Sequence, residues 1–329
     1  MKLARAVVFR SYGGPDVLEL VEVPEPTAGE NEVRVRVRAA GVNPVDCKIR
    51  QGAFATAAAD HFPQTLGNEF AGIVDQVGAG LAGAGQVGGD QVDADQADQP
   101  GTAASGVSVG DEVLGFTTAA AYAEYVVVPA AHVTRKPPAL SWEVAGVLSA
   151  AGQAAYRALR TLRLAAGETL LVHAAAGGVG TMAVQLARAQ GATVIGTASP
   201  HNHDYLRTLG AIPVSYGDGL VERVRAVAPG GVDAALDAVG GAAIHASLAL
   251  VADPSRIVTL VDQAAAARYG IQRLSGGRSA ATLAGLAGLA AAGALRVSIW
   301  RSFPLARAAE AHREVETGHV RGKVVLTVD

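Results

Sequence analysis

The chain has 329 residues, more than one hydrophobic core ordinarily fills, and this predicts two domains. Half of the residues are hydrophobic and 17% are charged, which excludes a disordered chain. A net charge of -3 with no basic block excludes a nucleic-acid footprint, and the single cysteine excludes an internal disulfide and every multi-cysteine zinc motif.

The opening MKLARAVVFRSYGG lacks the apolar core and cleavage site of a signal peptide, so a soluble, cytoplasmic protein is expected. Up to residue 128, short strand-like runs are punctuated by Gly and Pro: ARAVVF, VLELVEV, EVRVRVRAA, AGIVDQVG, DEVLGF and AEYVVVP. They predict a small, mostly β, barrel-like domain over 1–128. Arg34, Arg36 and Arg38 alternate with Val33, Val35 and Val37, the period of a half-buried strand with a solvated arginine face. Residues 79–108 are rich in Ala, Gly, Gln and Asp and contain no aromatic. Such a segment buries too little apolar surface to offset its ordering entropy, and reads as a mobile surface insertion. Its Asp90, Asp93, Asp95 and Asp98 lack the spacing and turn glycine of a calcium-binding EF-hand. GVSVG around Ser108 matches a hydrolase elbow, but an elbow needs a helix next and the strand DEVLGF follows.

From Ser141, a candidate N-cap, SWEVAGVLSAAGQAAYRALRTL reads as a helix. Strands and helices then alternate through TLLVHAA, a helix over 178–189, TVIGTAS, HDYLRTLG, IPVSY, LVERVRAVA, VDAALDAV and RIVTLVD. This alternation predicts a doubly wound parallel sheet over 129–270, an α/β fold. Residues 271–329 end in the strand KVVLTVD and are expected to return to the first domain. The uncharged runs 169–187 and 279–295 do not read as membrane spans: Gly and His interrupt the first, and the second falls short of about 20 residues.

TLLVHAAAGGVGTMAVQLARAQG sets a glycine-rich turn between an apolar strand and an amphipathic helix. Ala175, Gly177 and Gly180 occupy the three small-residue positions of a dinucleotide fingerprint. The first keeps the turn tight, the second admits the pyrophosphate to the backbone, and the third lets helix and sheet pack closely. The helix start then offers N–H groups to phosphate. Where NAD sites place an acidic residue about 20 positions on, this chain has Ser199, with His203 nearby. A hydroxyl, an imidazole and helix N–H groups accept a 2′-phosphate that a carboxylate would repel, so NADPH is the expected cofactor.

GVNPVDCKIRQG, LGNEFAGIVDQVG, VGDEVLGF, YAEYVVVP, HAAAGGVG, VIGTAS, LDAVGG and GHVRGKVVL together resemble the medium-chain dehydrogenase/reductase superfamily. Within it the chain is most similar to the zinc-independent quinone oxidoreductases, which include zeta-crystallin and the enoyl reductases of polyketide synthesis. The resemblance covers nearly the whole chain outside 79–108. It implies a GroES-like catalytic domain, a Rossmann NADP(H)-binding domain and a homodimer. In the zinc-bearing alcohol dehydrogenases the first ligand is a cysteine two residues after the loop glycine, and the second the histidine of Gly-His-Glu. Asn43 and Asn68 stand there in this chain, and neutral amides bind zinc poorly, so no metal is expected. Cys47 reads as a partly buried structural residue.

By the same resemblance, Asn43 borders nicotinamide and substrate. Lys48 stands where several quinone reductases have a cofactor-contacting tyrosine; it either binds the substrate carbonyl and relays a proton or is a solvated surface lysine. Asp46 either orients the pocket or makes a structural hydrogen bond in the turn. Ala176, Gly177, Gly178 and Val179 match the pyrophosphate loop, and Ser199 and Tyr216 the adenosine 2′-phosphate end. Many relatives have a lysine where Asn202 stands. Val239, Leu260, Val261 and Asp262 match backbone positions along the nicotinamide half, and Lys323 reads as structural.

Without a Lewis acid, hydride transfer favours acceptors that delocalise the developing charge. The expected function is NADPH-dependent reduction of conjugated carbonyls, either quinones or α,β-unsaturated ketones. Two alternatives stand beside it: an enoyl reductase acting on a polyketide or acyl intermediate, and a non-catalytic NADPH-binding sensor or structural protein.

Overall fold

Alternating apolar residues turn Val33, Val35 and Val37 inward along one strand, and that strand organises the first half of the molecule. In a computed structural model describing residues 2–55, 61–81 and 106–329, it is one of sixteen strands among the described residues. Residues 82–105, most of the expected insertion with its four aspartates, lie outside the described residues. The first eight strands are β1 (Leu3–Phe9), β2 (Glu19–Pro24), β3 (Glu32–Val42), β4 (Gln64–Thr65), β5 (Glu69–Val77), β6 (Glu112–Phe116), β7 (Tyr125–Pro129) and β8 (Val133–Arg135). Next come β9 (Thr169–Val172), β10 (Thr193–Thr197), β11 (Ile212–Val214), β12 (Ala234–Asp237), β13 (Ile257–Thr259) and β14 (Gln272–Arg273). The chain closes with β15 (Ile299–Pro304) and β16 (Lys323–Thr327).

Two compact units divide it: Met1–Ala150 with Arg278–Ala294 and Ile299–Asp329, and Ala151–Gly277 with Leu295–Ser298. In the first unit β1 pairs antiparallel with β2 and β4. A larger sheet runs β15-β16-β3-β5-β6-β8, with β7 also paired to β3. Phe9, Phe70, Leu66, Val74, Tyr122 and Leu326 fill its core. The second unit is a parallel six-stranded sheet in the order β11-β10-β9-β12-β13-β14. The order reverses between β9 and β12, the place where doubly wound sheets bind ligands at their carboxyl edge.

Two local expectations need correction. The helix expected from Ser141 is two helices, Trp142–Gly146 and Leu148–Leu162. Ser141 does cap the first, accepting the Val144 N–H at 3.3 Å. Gly146 lies so close to β3 that a Cβ would stand 2.7 Å from that of Ala39, and the chain leaves helical geometry at Val147. The arginine face of β3 is also not uniformly solvated. Arg34 has 14% of its side chain exposed, forks onto Asp75 with two bonds of 2.9 Å, and pairs with Glu25 at 2.7 Å.

Candidate functional site

In the first unit a polar cluster forms where β3 passes into the helix Pro44–Arg50. Pro44 takes the first helical position, where a missing N–H costs nothing. One Asp46 oxygen reaches back to accept the Asn43 backbone N–H at 2.8 Å and the Tyr122 hydroxyl at 3.3 Å. The other accepts the Asn68 side-chain amide at 2.6 Å.

Sheet register supplies the rest. Ala40 pairs with Phe70 across β3 and β5, which brings Glu69 to Gly41. A Cβ at Gly41 would stand 2.2 Å from a Glu69 carboxylate oxygen, so only glycine leaves the room. Val42 pairs with Val324 across β3 and β16, which sets Lys323 beside Asn43. The Lys323 ammonium donates to Glu69 at 2.8 Å and to the Asn43 side-chain oxygen. The Asn43 amide donates to the same Glu69 oxygen at 3.0 Å, and the other Glu69 oxygen accepts the Ala150 N–H at 2.6 Å. Asn43, Asp46, Glu69 and Lys323 are all buried.

Burial pushes the Asp46 carboxyl up to about 6, against the pull of its Asn43 and Asn68 donors and the Lys323 charge. Tyr122 is raised well above the ordinary phenol range, first by burial and then by Asp46. Burial and then the Arg50 charge lower His312 to about 3, so its imidazole is neutral at pH 7. Its Nε2 lies 3.3 Å from the Tyr122 hydroxyl, which thereby bridges an imidazole and a carboxyl. Cys47 is buried, and burial with the Glu316 charge pushes its thiol up to about 12. It is a structural thiol without nucleophilic character.

The structure thus joins Asn43 and Asp46, two of the residues singled out in the sequence. Lys48 stands apart. It lies two positions beyond Asp46 on the same short helix, a spacing that puts side chains on different faces. It is exposed, and its ammonium has no hydrogen-bond partner among the described residues. Glu69, Tyr122 and His312 went unnoticed in the sequence. Only Glu69 left a signal, a charged residue beside Asn68 at the head of an apolar run.

In the second unit β9 delivers the chain into the turn His173–Gly177 and the helix Gly178–Ala189. A Cβ at Gly180 would come 2.4 Å from the Ala174 carbonyl oxygen, and one at Gly177 would come 3.3 Å from it. Small residues here are therefore required by packing, and the cradle stays open at half-exposed Gly177, Gly178 and Val179. The first N–H groups of this helix have no partner within it and are available to an anion. Ala175 and Ala176 are buried beneath. His173, buried and lowered to about 4 chiefly by burial, ties the turn to Ser247 at 3.0 Å and Thr197 at 3.3 Å.

At the carboxyl ends of β10 and β11 the Ser199 and Tyr216 hydroxyls meet at 2.9 Å. His203 Nε2 lies 3.3 Å from the Ala198 carbonyl and 3.5 Å from the Ser215 hydroxyl. Asn202 is buried against His201. At the ends of β12 and β13, Asp237 accepts the Val239 and Gly240 N–H groups at 2.9 Å each and the Thr259 hydroxyl at 2.7 Å. That hydroxyl oxygen accepts the Val261 and Asp262 N–H groups at 3.3 and 3.2 Å. The pair shapes both loops, leaving Val239 and Val261 exposed at the sheet edge beside Leu260, while Asp262 caps the next helix through Ala265. Neither Asp237 nor Thr259 stood out in the sequence, because both look like ordinary strand ends. The turn, its glycines and the two hydroxyls fit a dinucleotide.

Comparison with known proteins gives the lineage. Residues 29–138 match the alcohol dehydrogenase GroES-like domain, and residues 209–326 match the family described as zinc-binding dehydrogenase. The chain is 32% identical to a quinone oxidoreductase of Pseudomonas aeruginosa over 98% of its own length and 99% of that protein's. It is a medium-chain dehydrogenase/reductase of the quinone oxidoreductase branch.

Other relatives are longer than this chain. The chain is 34% identical to the polyketide synthase GfsB of Streptomyces halstedii over 98% of itself, but spans 6% of that protein. It spans 58% of the synaptic vesicle membrane protein VAT-1 homolog of Rattus norvegicus, at 32% identity over 78% of itself. Among solved structures, the quinone oxidoreductase of Coxiella burnetii superposes with a TM-score of 0.84 at 32% identity, covering 100% of both chains. The Escherichia coli quinone oxidoreductase complexed with NADPH gives a TM-score of 0.81 at 27% identity, covering 98% of this chain and 99% of that one. These neighbours share the GroES-like sheet domain and the parallel-sheet Rossmann-like domain.

The zinc in one family description does not fit this cluster. Asn43 and Asn68 turn their amide N–H groups toward carboxylates, and the Lys323 ammonium already neutralises Glu69. A dication would displace that ammonium to gain two neutral amides, a poor exchange for an ion that prefers thiolate and imidazole.

Proposed function

We propose that this oxidoreductase reduces conjugated carbonyls, meaning quinones or α,β-unsaturated ketones, with NADPH and without a metal. The observation that carries the reading is the buried Lys323–Glu69–Asn43 triad, an ammonium where the zinc relatives arrange metal ligands. The dinucleotide cradle and the NADPH complex of the Escherichia coli relative support the choice of cofactor. NADPH bound to the second unit supplies a hydride.

This chain's residues do the remaining work. Gly177, Gly178 and Val179 offer N–H groups to the pyrophosphate, Gly180 keeps the helix start against the sheet, and Ser199, Tyr216 and His203 receive the 2′-phosphate. Val239, Leu260, Val261 and Asp262 support the nicotinamide half. Asn43 is held in one orientation by Lys323 and Glu69, and Asp46 fixes Asn68, so the polar donors are set before substrate arrives. Lys48, exposed and with no hydrogen-bond partner for its ammonium among the described residues, delivers the proton when the acceptor is an enone. The same reading carries a homodimer acting on small molecules.

A second reading is favoured by the likeness to the polyketide synthase along 98% of this chain: a discrete enoyl reductase acting on an acyl or polyketide intermediate. One experiment separates the two. NADPH consumption is followed by absorbance with a panel of quinones, enones and enoyl thioesters, for the native chain and for Lys48→Ala. Turnover of quinones and enones, with the enone rate cut about 100-fold in the variant and the quinone rate kept, is the expected result. Turnover of thioesters alone moves the assignment to the second reading. NADPH binding with no turnover across the panel rejects both.

A further inference from the structure

Resting on the NADPH reading, we infer that Arg223 is the residue that makes this chain discriminate NADPH from NADH. The 2′-phosphate end of the cradle carries two hydroxyls and the His203 imidazole but, among the described residues assigned to it, no lysine or arginine: Ser199 and Tyr216 face each other at 2.9 Å, and Asn202 is neutral and buried. A doubly charged phosphate held by two hydroxyls and one imidazole is poorly compensated.

The cation comes from the helix Leu220–Val227. Arg223 sends its guanidinium back under the preceding loop and donates to four consecutive carbonyls. Nε donates to Ser215 at 3.1 Å, one terminal nitrogen to Asp218 at 2.7 Å, and the other to Tyr216 at 3.3 Å and Gly217 at 3.1 Å. The loop can close round it because Gly217 and Gly219 take positive φ, +90° and +74°. Each hydrogen bond the guanidinium makes among the described residues goes to a backbone carbonyl and none to a carboxylate, so its net charge remains available to the loop it holds. Two effects follow at one place. The clasp fixes the backbone of Tyr216 and so keeps its hydroxyl on Ser199, and a guanidinium held by neutral carbonyls keeps its net positive charge and favours an anion there. A lysine could supply the charge but not the planar fork that reaches four carbonyls. Arg223 is thus a positioning residue, which acts on the phosphate through Tyr216 and through its field.

The test uses the full chain and reads cofactor affinity, not turnover. Dissociation constants for NADPH, NADH, 2′,5′-ADP and 5′-AMP are measured by fluorescence and calorimetry for the native chain, Arg223→Gln and Arg223→Lys. The expected result is a loss of about tenfold or more for NADPH and 2′,5′-ADP in Arg223→Gln, with NADH and 5′-AMP changed less than about twofold. Unchanged NADH binding doubles as the control for folding. Arg223→Lys should recover only part of the loss. Equal weakening of NADH and NADPH would reduce Arg223 to a fold residue and overturn the inference. So would an unchanged preference for 2′,5′-ADP in Arg223→Gln, and in that case the NADPH reading itself survives. A native chain that does not prefer 2′,5′-ADP over 5′-AMP rejects both.

Discussion

Lys323 has given up nearly all of its water for one carboxylate and one amide, at 4% exposure beside a Glu69 that is fully buried. Such a pair contributes little net stability over an apolar packing of the same shape, yet either half alone is costly, because a charge is then left without solvent or partner. Lys323→Met should lower the free energy of unfolding by about 3–5 kcal/mol, read from urea denaturation. The double variant Lys323→Met/Glu69→Gln should recover most of that loss. An unaltered midpoint for Lys323→Met would mean that Glu69 is protonated or hydrated and that the pair is not ionic. The reason to keep an expensive pair is specificity of geometry. Both hydrogen-bonding ends of the Asn43 amide are committed, so the side chain cannot turn over.

Between strand β9 and the helix Gly178–Ala189 sits a turn whose tolerance is set by the backbone of Ala174 and Ala175, the Ala174 carbonyl oxygen coming nearest. Gly180→Ala forces a methyl into that oxygen, and the helix start must lift from the sheet. We expect a cost of about 1–3 kcal/mol in stability, together with loss of NADPH binding in a fluorescence titration. Retained affinity would show that the cradle does not seat the cofactor. This element was legible in the sequence because its constraint is local: HAAAGGVG follows an apolar run and starts an amphipathic one, and close packing admits few other residues. The cluster of the first unit was only half legible. Asn43 and Asp46 are three residues apart and share a helix start, whereas Glu69 and Lys323 are 254 positions apart and meet only through the pairing of β3 with β5 and β16. Tyr122 and His312 are 190 apart. Lys323 read as structural because a lysine before VVL shows nothing of the carboxylate it will neutralise. The break at Val147 was hidden for a related reason, since Gly146 answers to Ala39 on a strand a hundred residues earlier.

At the scale of the whole molecule, three buried groups among the described residues, Asp46, His173 and His312, shape the response to acid, and their signs differ. His173 and His312 are lowered to about 4 and about 3 by burial, so the unfolded chain takes up their protons first, near 6.5. Their contribution is complete above pH 6.5 and is lost as the pH falls through that window. Asp46 works the other way: raised to about 6, it favours the folded state below its ordinary value of 3.8 and loses that contribution as the pH rises through about 6. Shifts of this size are each worth on the order of 3 kcal/mol, and two oppose one. The urea midpoint should therefore be lower at about pH 5 than at about pH 7.5, and Asp46→Asn should make the fall steeper. A flat profile over that range would contradict the burial of these histidines. The path of the backbone adds a consequence for synthesis. Residues 151–277 emerge from the ribosome as one continuous stretch and can fold early, whereas the first unit is left unfinished until β16 appears. Through all that time Glu69 waits without its counter-charge, so the Asn43–Glu69–Lys323 cluster is assembled only when a residue 254 positions downstream has been translated.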